Sequence, residues 1–342
     1  MTCKHCVMNN EVDPEITFDM SGVCNHCREY TIKEKQRKLE KTNLPWIIYE
    51  MKKQKPYNCL LGLSGGVDSS MCLHYLIEQG VKPLCFSVDN GWQTEIAQEN
   101  IMRMVEGLKV PYYRYVIDIP KFKELQEAFI KAGLKNIEIP TDHILMATTY
   151  EMARKYRIKY IISGGNLATE SIMPKSFGYE PRDLTHLKGV YKWATGKKLT
   201  GLPTISLFQY IWYRFVKKIK VVNLLDFYEY NRKEAIKLLS EKYGYRDYGE
   251  KHCESIFTKW FQNVYLPRKF VLDKRIPHLS SMINSAQITR DEALEEIKKP
   301  LERVSEIDDY ELGYVGAKND YKDYPNSEKW WKLFQKIYAG IK

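Results

Sequence analysis

The sequence predicts an α/β protein built on a doubly wound parallel sheet, with a cysteine-rich module in front and a mostly helical region behind. Three observations predict it. From Tyr57 onward, short apolar strands alternate with helical patterns. A glycine-rich turn, Ser64-Gly65-Gly66-Val67-Asp68-Ser69-Ser70, joins an apolar strand to a helix. Two Cys-x2-Cys pairs fall within residues 1–30.

In chain order, residues 1–30 read as a zinc-binding module. Cys3 and Cys6 form one pair, and Cys24 and Cys27 form a second after a gap of seventeen residues. Each pair presents two thiolates on one side of a tight knuckle, and two knuckles complete a tetrahedron. Two disulfides suit a secreted chain better, and an iron–sulfur cluster is a further option for thiolates. The spacing favours Zn²⁺. His5 and His26 stand beside the knuckles, but four thiolates already fill the ligand set, which argues for a role in folding and docking. Residues 31–56 read as a basic linker helix, interrupted at Pro45 and ended near Pro56. Strands are expected at 57–63, 82–89, 112–117 and 158–163, and helices at 67–80, 93–107, 121–132 and 142–157. This places a nucleotide-binding domain over 57–200. Residues 201–342 turn helical, at 203–218, 232–243, 254–265 and 290–298. Thr289 and Glu292 have the spacing of a capping box. Leu202 to Val216 carries Gln209 and Arg214 and reads as a helix facing the core or a partner. Trp330, Trp331 and Phe334 are expected to pack back onto the body. Cys59, Cys72 and Cys85 read as small buried hydrophobes, while Cys253 sits in a polar cluster.

The 342 residues are 44% hydrophobic, enough for a large core. There is no apolar run of about 18 residues and no apolar signal region at the N-terminus, so a soluble cytoplasmic protein is expected. The formal charge of +10 is uneven. Lys188 to Lys220 holds eight basic and no acidic residues, and 31–56 holds eight basic and three acidic. Such runs are solvated faces or meet an anionic partner, and charge alone does not choose.

The glycine turn is built for phosphate. Gly65 and Gly66 let the backbone approach an anion, and the free N–H groups of the following helix point at it. Ser64, Ser69 and Ser70 add hydroxyl donors. No Gly-Lys-Ser/Thr follows, so this is not a Walker loop. Ligands of such sheets sit beyond the carboxyl ends of the strands. The loop, Asp89 and Gly164-Gly165-Asn166 all fall there, predicting one nucleotide site made from three loops. In the second half, Lys251-His252-Cys253-Glu254 and Lys269 to Arg275 interleave charges with aromatics. On periodicity alone this is either a wall facing an anionic ligand or a helix with a solvated face.

The loop resembles the SGGxDS motif of the PP-loop ATP pyrophosphatases. Over nearly its whole length the chain resembles the N-acetyl sugar amidotransferases of the WbpG and PseA type. The resemblance rests on the four-cysteine start, SGGVDSS, SVDNGW at 87–92, SGGNLATES at 163–171, YGEKHCESIFTKWFQ at 248–262 and LPRKFVLDKRIPHLS at 266–280. It implies ATP and Mg²⁺ as cofactors and an acetamido sugar, carried on a nucleotide, as substrate. AMP transfer to the N-acetyl oxygen, then ammonia, would give an acetamidino group for O-antigen or flagellar glycans. On this reading Ser64 to Ser70 hold phosphate and Asp68 positions the metal. Ser87, Asp89, Gly164, Gly165 and Asn166 line the adenosine side. Lys251, Lys269 and Arg275 meet phosphate or sugar, and His252 or Glu254 handles ammonia protons. No glutaminase nucleophile is legible, so the resemblance implies a glutaminase partner like that of imidazole-glycerol-phosphate synthase, with its barrel companion. A tRNA-modifying PP-loop enzyme, a thiolase or lysidine-type ligase, is the enzymatic alternative. It is disfavoured because the second half has a single cysteine, Cys253, and no Cys-x2-Cys, so nucleic acid is not expected as a partner. A non-catalytic nucleotide-binding subunit is the other alternative, and the intact loop argues against it.

Overall fold

Alternation along the strands decides the layers. In β1 (Cys59–Gly62), Leu60 packs into one core and Leu61 into another across the sheet. β2 (Pro83–Asp89) divides Phe86 and Cys85 in the same way and is buried throughout. The computed structural model describes residues 1–174, 177, 180–249, 253–301, 304 and 318–341. In it, these strands join β3 (Tyr112–Val116), β4 (Tyr160–Ser163) and β5 (Lys220–Asn223) in one sheet of order β3-β2-β1-β4-β5. Every neighbouring pair is parallel. This is the doubly wound sheet that the strand–helix alternation predicts.

The chain enters through the cysteine module. Helix α1 (Asn25–Glu40) starts inside the second knuckle, capped at Cys24, so module and basic linker are continuous. Pro45 lies in the first turn of α2 (Leu44–Lys52), where its missing N–H is harmless. With α3 (Val67–Glu78) and α4 (Glu95–Leu108), α2 covers one face of the sheet. On the other lie α5 (Ile119–Lys131), α6 (Ile139–Lys155) and, after the single turn α7 (Leu167–Glu170), α8 (Leu184–Thr195). Helix α6 starts earlier than its apolar pattern suggests, because Pro140 suits a first turn. Helix α8 was not legible from periodicity, though Asp183 caps it by accepting from the Thr185 and His186 amides.

The expected helix at 203–218 is α9 (Leu207–Ile211) running into a π turn, Trp212–Val216. Strand β5 follows, so the sheet reaches beyond residue 200. It has four residues and only Val222 is buried, too short for alternation to announce. Helix α10 (Arg232–Tyr243) then joins α3. The next helix is α11 (Ile256–Trp260), which passes through a π turn (Phe261–Tyr265) into α12 (Leu266–Phe270). Helices α13 (Arg275–Asn284) and α14 (Arg290–Lys298) hold the cysteine module. Ser280 Oγ lies 3.3 Å from the Val7 amide, and Arg290 donates to the carbonyls of Cys6 at 3.2 Å and Cys3 at 3.4 Å. The capping box of Thr289 and Glu292 is present. On α15 (Glu328–Ile341), Trp331 is buried and Phe334 packs on Tyr210, whereas Trp330 points outward, 61% exposed, contrary to the expectation for it.

Candidate active site

Strand order reverses between β1 and β4, and the crevice beyond their carboxyl ends is where ligands of such sheets lie. The glycine turn fills it for steric reasons. Gly65 has φ +83°, and a Cβ there would sit 2.2 Å from the Ala97 carbonyl oxygen at the start of α4. The Gly65 carbonyl accepts from the Tyr245 hydroxyl at 3.1 Å. Gly66 caps α3, and a Cβ on it would press Ser64 Oγ, Tyr248 Oη and Glu254 Oε1 at 3.0–3.1 Å. A Cβ on Gly164, at the exit of β4, would lie 3.3 Å from Asp68 Cβ and the Ser69 nitrogen. The two loops therefore touch. They enclose a pocket of about 220 Å³ lined by Ser64, Gly66, Val67, Asp68, Ser69 and Gly164, with Glu254 and Arg232 opposite. Gly65, Ser70, Gly165 and Asn166 do not line it.

Asp68 is fixed on both oxygens. Oδ1 accepts from the Tyr230 hydroxyl, and Oδ2 accepts from Asn166 Nδ2 at 3.3 Å. Burial, then the Asp68 charge, raises Tyr230 far above the usual phenol range, so it donates. Asn166 Oδ1 caps α7 through the Thr169 amide at 2.9 Å. Arg232, which lines the pocket, donates through Nη2 to the Gly249 carbonyl at 2.8 Å.

A cavity of about 740 Å³ opens from Gly62 and Ser64 along the end of β2, past Ser87, Val88 and Asn90. Ser87 Oγ is 2.6 Å from Tyr112 Oη. Asp89 takes no part in the lining. Its carboxylate accepts from Arg114 of β3 at 2.6 Å and from the Gly91 amide at 3.0 Å, facing the sheet edge.

The opposite wall carries groups that the sequence did not single out. Glu138 stands at the N-cap position of α6 without a side-chain capping bond, and Asp142 stands one turn on. Thr258 donates to Glu138 Oε2 at 3.1 Å. Glu138 Oε1, Thr141 Oγ1 and Glu254 Oε2 are buried with no hydrogen-bond partner. Burial, then the Asp142 charge, pushes Glu138 up to about 8. Burial pushes Asp142 up to about 6 and holds Lys274 below the usual lysine range. A second cavity, of about 730 Å³, shares Gln262, Lys274 and His278 with the first.

Of the expected substrate contacts, Arg275 lines the second cavity and Lys269 does not. Lys269 is buried, its ammonium 5.6 Å from the Tyr265 ring centre, and lines neither cavity. Arg275 pairs with Asp273 at 2.7 Å and donates to the Glu296 and Lys299 carbonyls, closing the end of α14. Lys274, its neighbour in sequence, faces both cavities. Lys251 and His252 lie outside the described residues. Glu254 is delivered by backbone pairing. Gln93 and Ser255 form an antiparallel bridge, with Thr94 N donating to Glu254 O at 3.0 Å and Ile256 N to Trp92 O at 2.9 Å.

The four module cysteines are buried free thiols whose sulfurs all lie within 4.8 Å of one another. Neighbouring sulfurs are 3.5–4.0 Å apart. A tetrahedral zinc with bonds of about 2.3 Å needs edges of about 3.8 Å, so the set fits that ion. Amides of His5, Met8 and Cys24 point at Cys3 or Cys6 sulfur, as thiolates require. His26 is absent from the cluster and pairs with Asp13 at 2.7 Å.

No curated protein matches the chain. Among solved structures, it is similar to an NH3-dependent NAD synthetase from Campylobacter jejuni, at 18% identity and a TM-score of 0.30, covering 44% of this chain and 62% of that one. It is also similar to an NMN synthetase from Francisella tularensis, at 14% identity and a TM-score of 0.32, covering 68% and 90%. The chain thus spans less than two thirds of the Campylobacter enzyme. Residues 254–318 match the family described as LPS biosynthesis protein WbpG-like, C-terminal domain, and Glu254 and Lys274 lie within the matched stretch.

Proposed function

We propose that this protein is an ATP-dependent amidotransferase that turns the N-acetyl group of a nucleotide-linked sugar into an acetamidino group, for lipopolysaccharide or flagellar glycan. One observation carries the reading. A glycine loop shaped for phosphate lies directly beneath Glu254 of a WbpG-like domain, both on one pocket. The amide oxygen attacks the α-phosphorus of ATP and pyrophosphate leaves. Ammonia then adds at the imidate carbon, and AMP departs with the former carbonyl oxygen. Gly66, Ser64 and Ser69 hold the leaving pyrophosphate through N–H and hydroxyl donors at the positive end of α3, with Arg232 opposite. Asp68 fits a divalent cation: its carboxylate lines the pocket beside the phosphate loop and supplies the oxygen ligands that such an ion takes. Bound there, Mg²⁺ offsets phosphate charge.

Ammonium arriving from bulk must lose a proton before it attacks. Glu254 and Glu138 present buried acceptor oxygens to the cavity, and the raised pKa of Glu138, about 8, suits a general base. The same acidic wall suits the cationic amidine that forms. Lys251 and His252 are further candidates for phosphate and proton handling. Zn²⁺ in the cysteine cluster is structural, bracing α13 and α14 behind the wall. Glutamine nitrogen comes from a separate glutaminase subunit.

The test is incubation of candidate diacetamido sugars, nucleotide-linked and free, with ATP, Mg²⁺ and ammonium. Mass spectrometry should find a product lighter by about 1 Da, because NH replaces oxygen at the activated carbon, together with AMP and pyrophosphate. Release of ADP, or turnover with glutamine by the pure chain, would refute the reading.

A further inference from the structure

Two helices lying against each other leave apolar stripes uncovered. On α9 and its π turn, Phe208 is 83% and Val216 63% exposed, with Trp212 and Phe215 between them. On α15, Leu333 and Ile337 point outward while Trp331 on the adjoining face is buried. Phe215 stacks edge-on against Phe334 and Tyr338 of α15, so the stripes form one surface. Contiguous exposed apolar area of this kind marks a contact site. Lysines stand along its rim. Lys217 and Lys218 follow directly and are exposed, and the run from Lys188 to Lys220 contains eight cations and no carboxylate. Lys217 Nζ sits 4.6 Å over the Trp212 ring, and Lys220 Nζ sits 5.4 Å over the exposed ring of Trp46 on α2.

We propose that this face binds the surface of an anionic lipid bilayer. A second copy is a poor occupant, because a twofold contact sets like charges against each other. A protein partner is disfavoured by composition, since lysine is depleted in protein interfaces and their hot spots fill pockets. None of Phe208, Trp212, Phe215 and Val216 lines a described cavity. Aromatic side chains bordered by lysines are instead the composition of helices that lie in the headgroup region of acidic membranes. No described helix is long and apolar enough to span, so the contact is peripheral.

Flotation of the full chain with vesicles tests this independently of the catalytic reading. Vesicles of phosphatidylcholine mixed with phosphatidylglycerol should carry the protein, and vesicles of phosphatidylcholine alone should not. Raised salt should release it. Phe208→Ser with Trp212→Ser, and separately Lys217→Glu with Lys218→Glu, should each lower partitioning on the order of tenfold or more, with unchanged melting temperatures. Lys298→Glu with Lys299→Glu, the same charge change at the end of α14, should leave it in place. No binding by the wild-type chain to the acidic vesicles overturns the proposal, as does equal loss in the α14 variant, which would reduce binding to net charge.

Discussion

At the scale of the residue, the glycine turn was legible because its chemistry is local. Gly65→Ala forces a Cβ into the Ala97 carbonyl at a left-handed φ. It should destabilise the fold by about 3 kcal/mol or more, read as a lowered melting temperature. Asp68→Asn keeps an acceptor for Tyr230 but loses the charge. We expect turnover to fall on the order of 100-fold, with unchanged melting. Glu138 was not legible, because nothing in a helix-start glutamate announces which cavity it will face. Its raised pKa has a signed consequence. Between about 4.5 and 8 the folded state holds a proton that the unfolded chain releases, so this residue's contribution to stability falls as pH rises through that window. Glu138→Gln stays neutral. Its melting temperature relative to wild type should climb across the window and level off above it, and a flat difference would contradict the assignment.

At the scale of the element, strong periods and caps were readable and weak ones were not. Helices α10 and α14 occur at the residues that their patterns indicate, with the capping box at Thr289 in place. Strand β5 escaped because four residues with one buried position carry no period. The contrast between Lys274 and Arg275 shows the same limit inside the site. Both are basic and adjacent, yet Lys274 lines both cavities, whereas Arg275 lines only the second and donates to the Lys299 carbonyl at the end of α14. The cysteine module was readable from spacing, but its docking was not. Arg290 joins two knuckle carbonyls to α14 across more than 280 residues of chain. Arg290→Ala should destabilise by about 1–3 kcal/mol and speed zinc release to a chelator, followed with a colorimetric zinc indicator. Full chelation should expose residues 1–40 to protease before the sheet unfolds.

At the scale of the whole molecule, the alternation of strands and helices was sufficient for the sheet, since parallel strands with connecting helices allow few topologies. What alternation could not supply was the meeting of distant segments: β1 with β4 at Gly164, and the loop after β2 with the segment that begins at Glu254. Asp89 illustrates the gap. It stands at a strand end, as ligand-binding residues do, yet Arg114 on the edge strand claims it. The pairing of Gln93 with Ser255 reaches furthest. Exchange of the domain between relatives at a breakpoint near residue 254 would sever a mini-ladder whose other rail lies some 160 residues upstream. Chimeras should recover native melting only when Trp92 to Thr94 come from the same parent as the grafted half, which makes this short stretch a compatibility determinant for recombination.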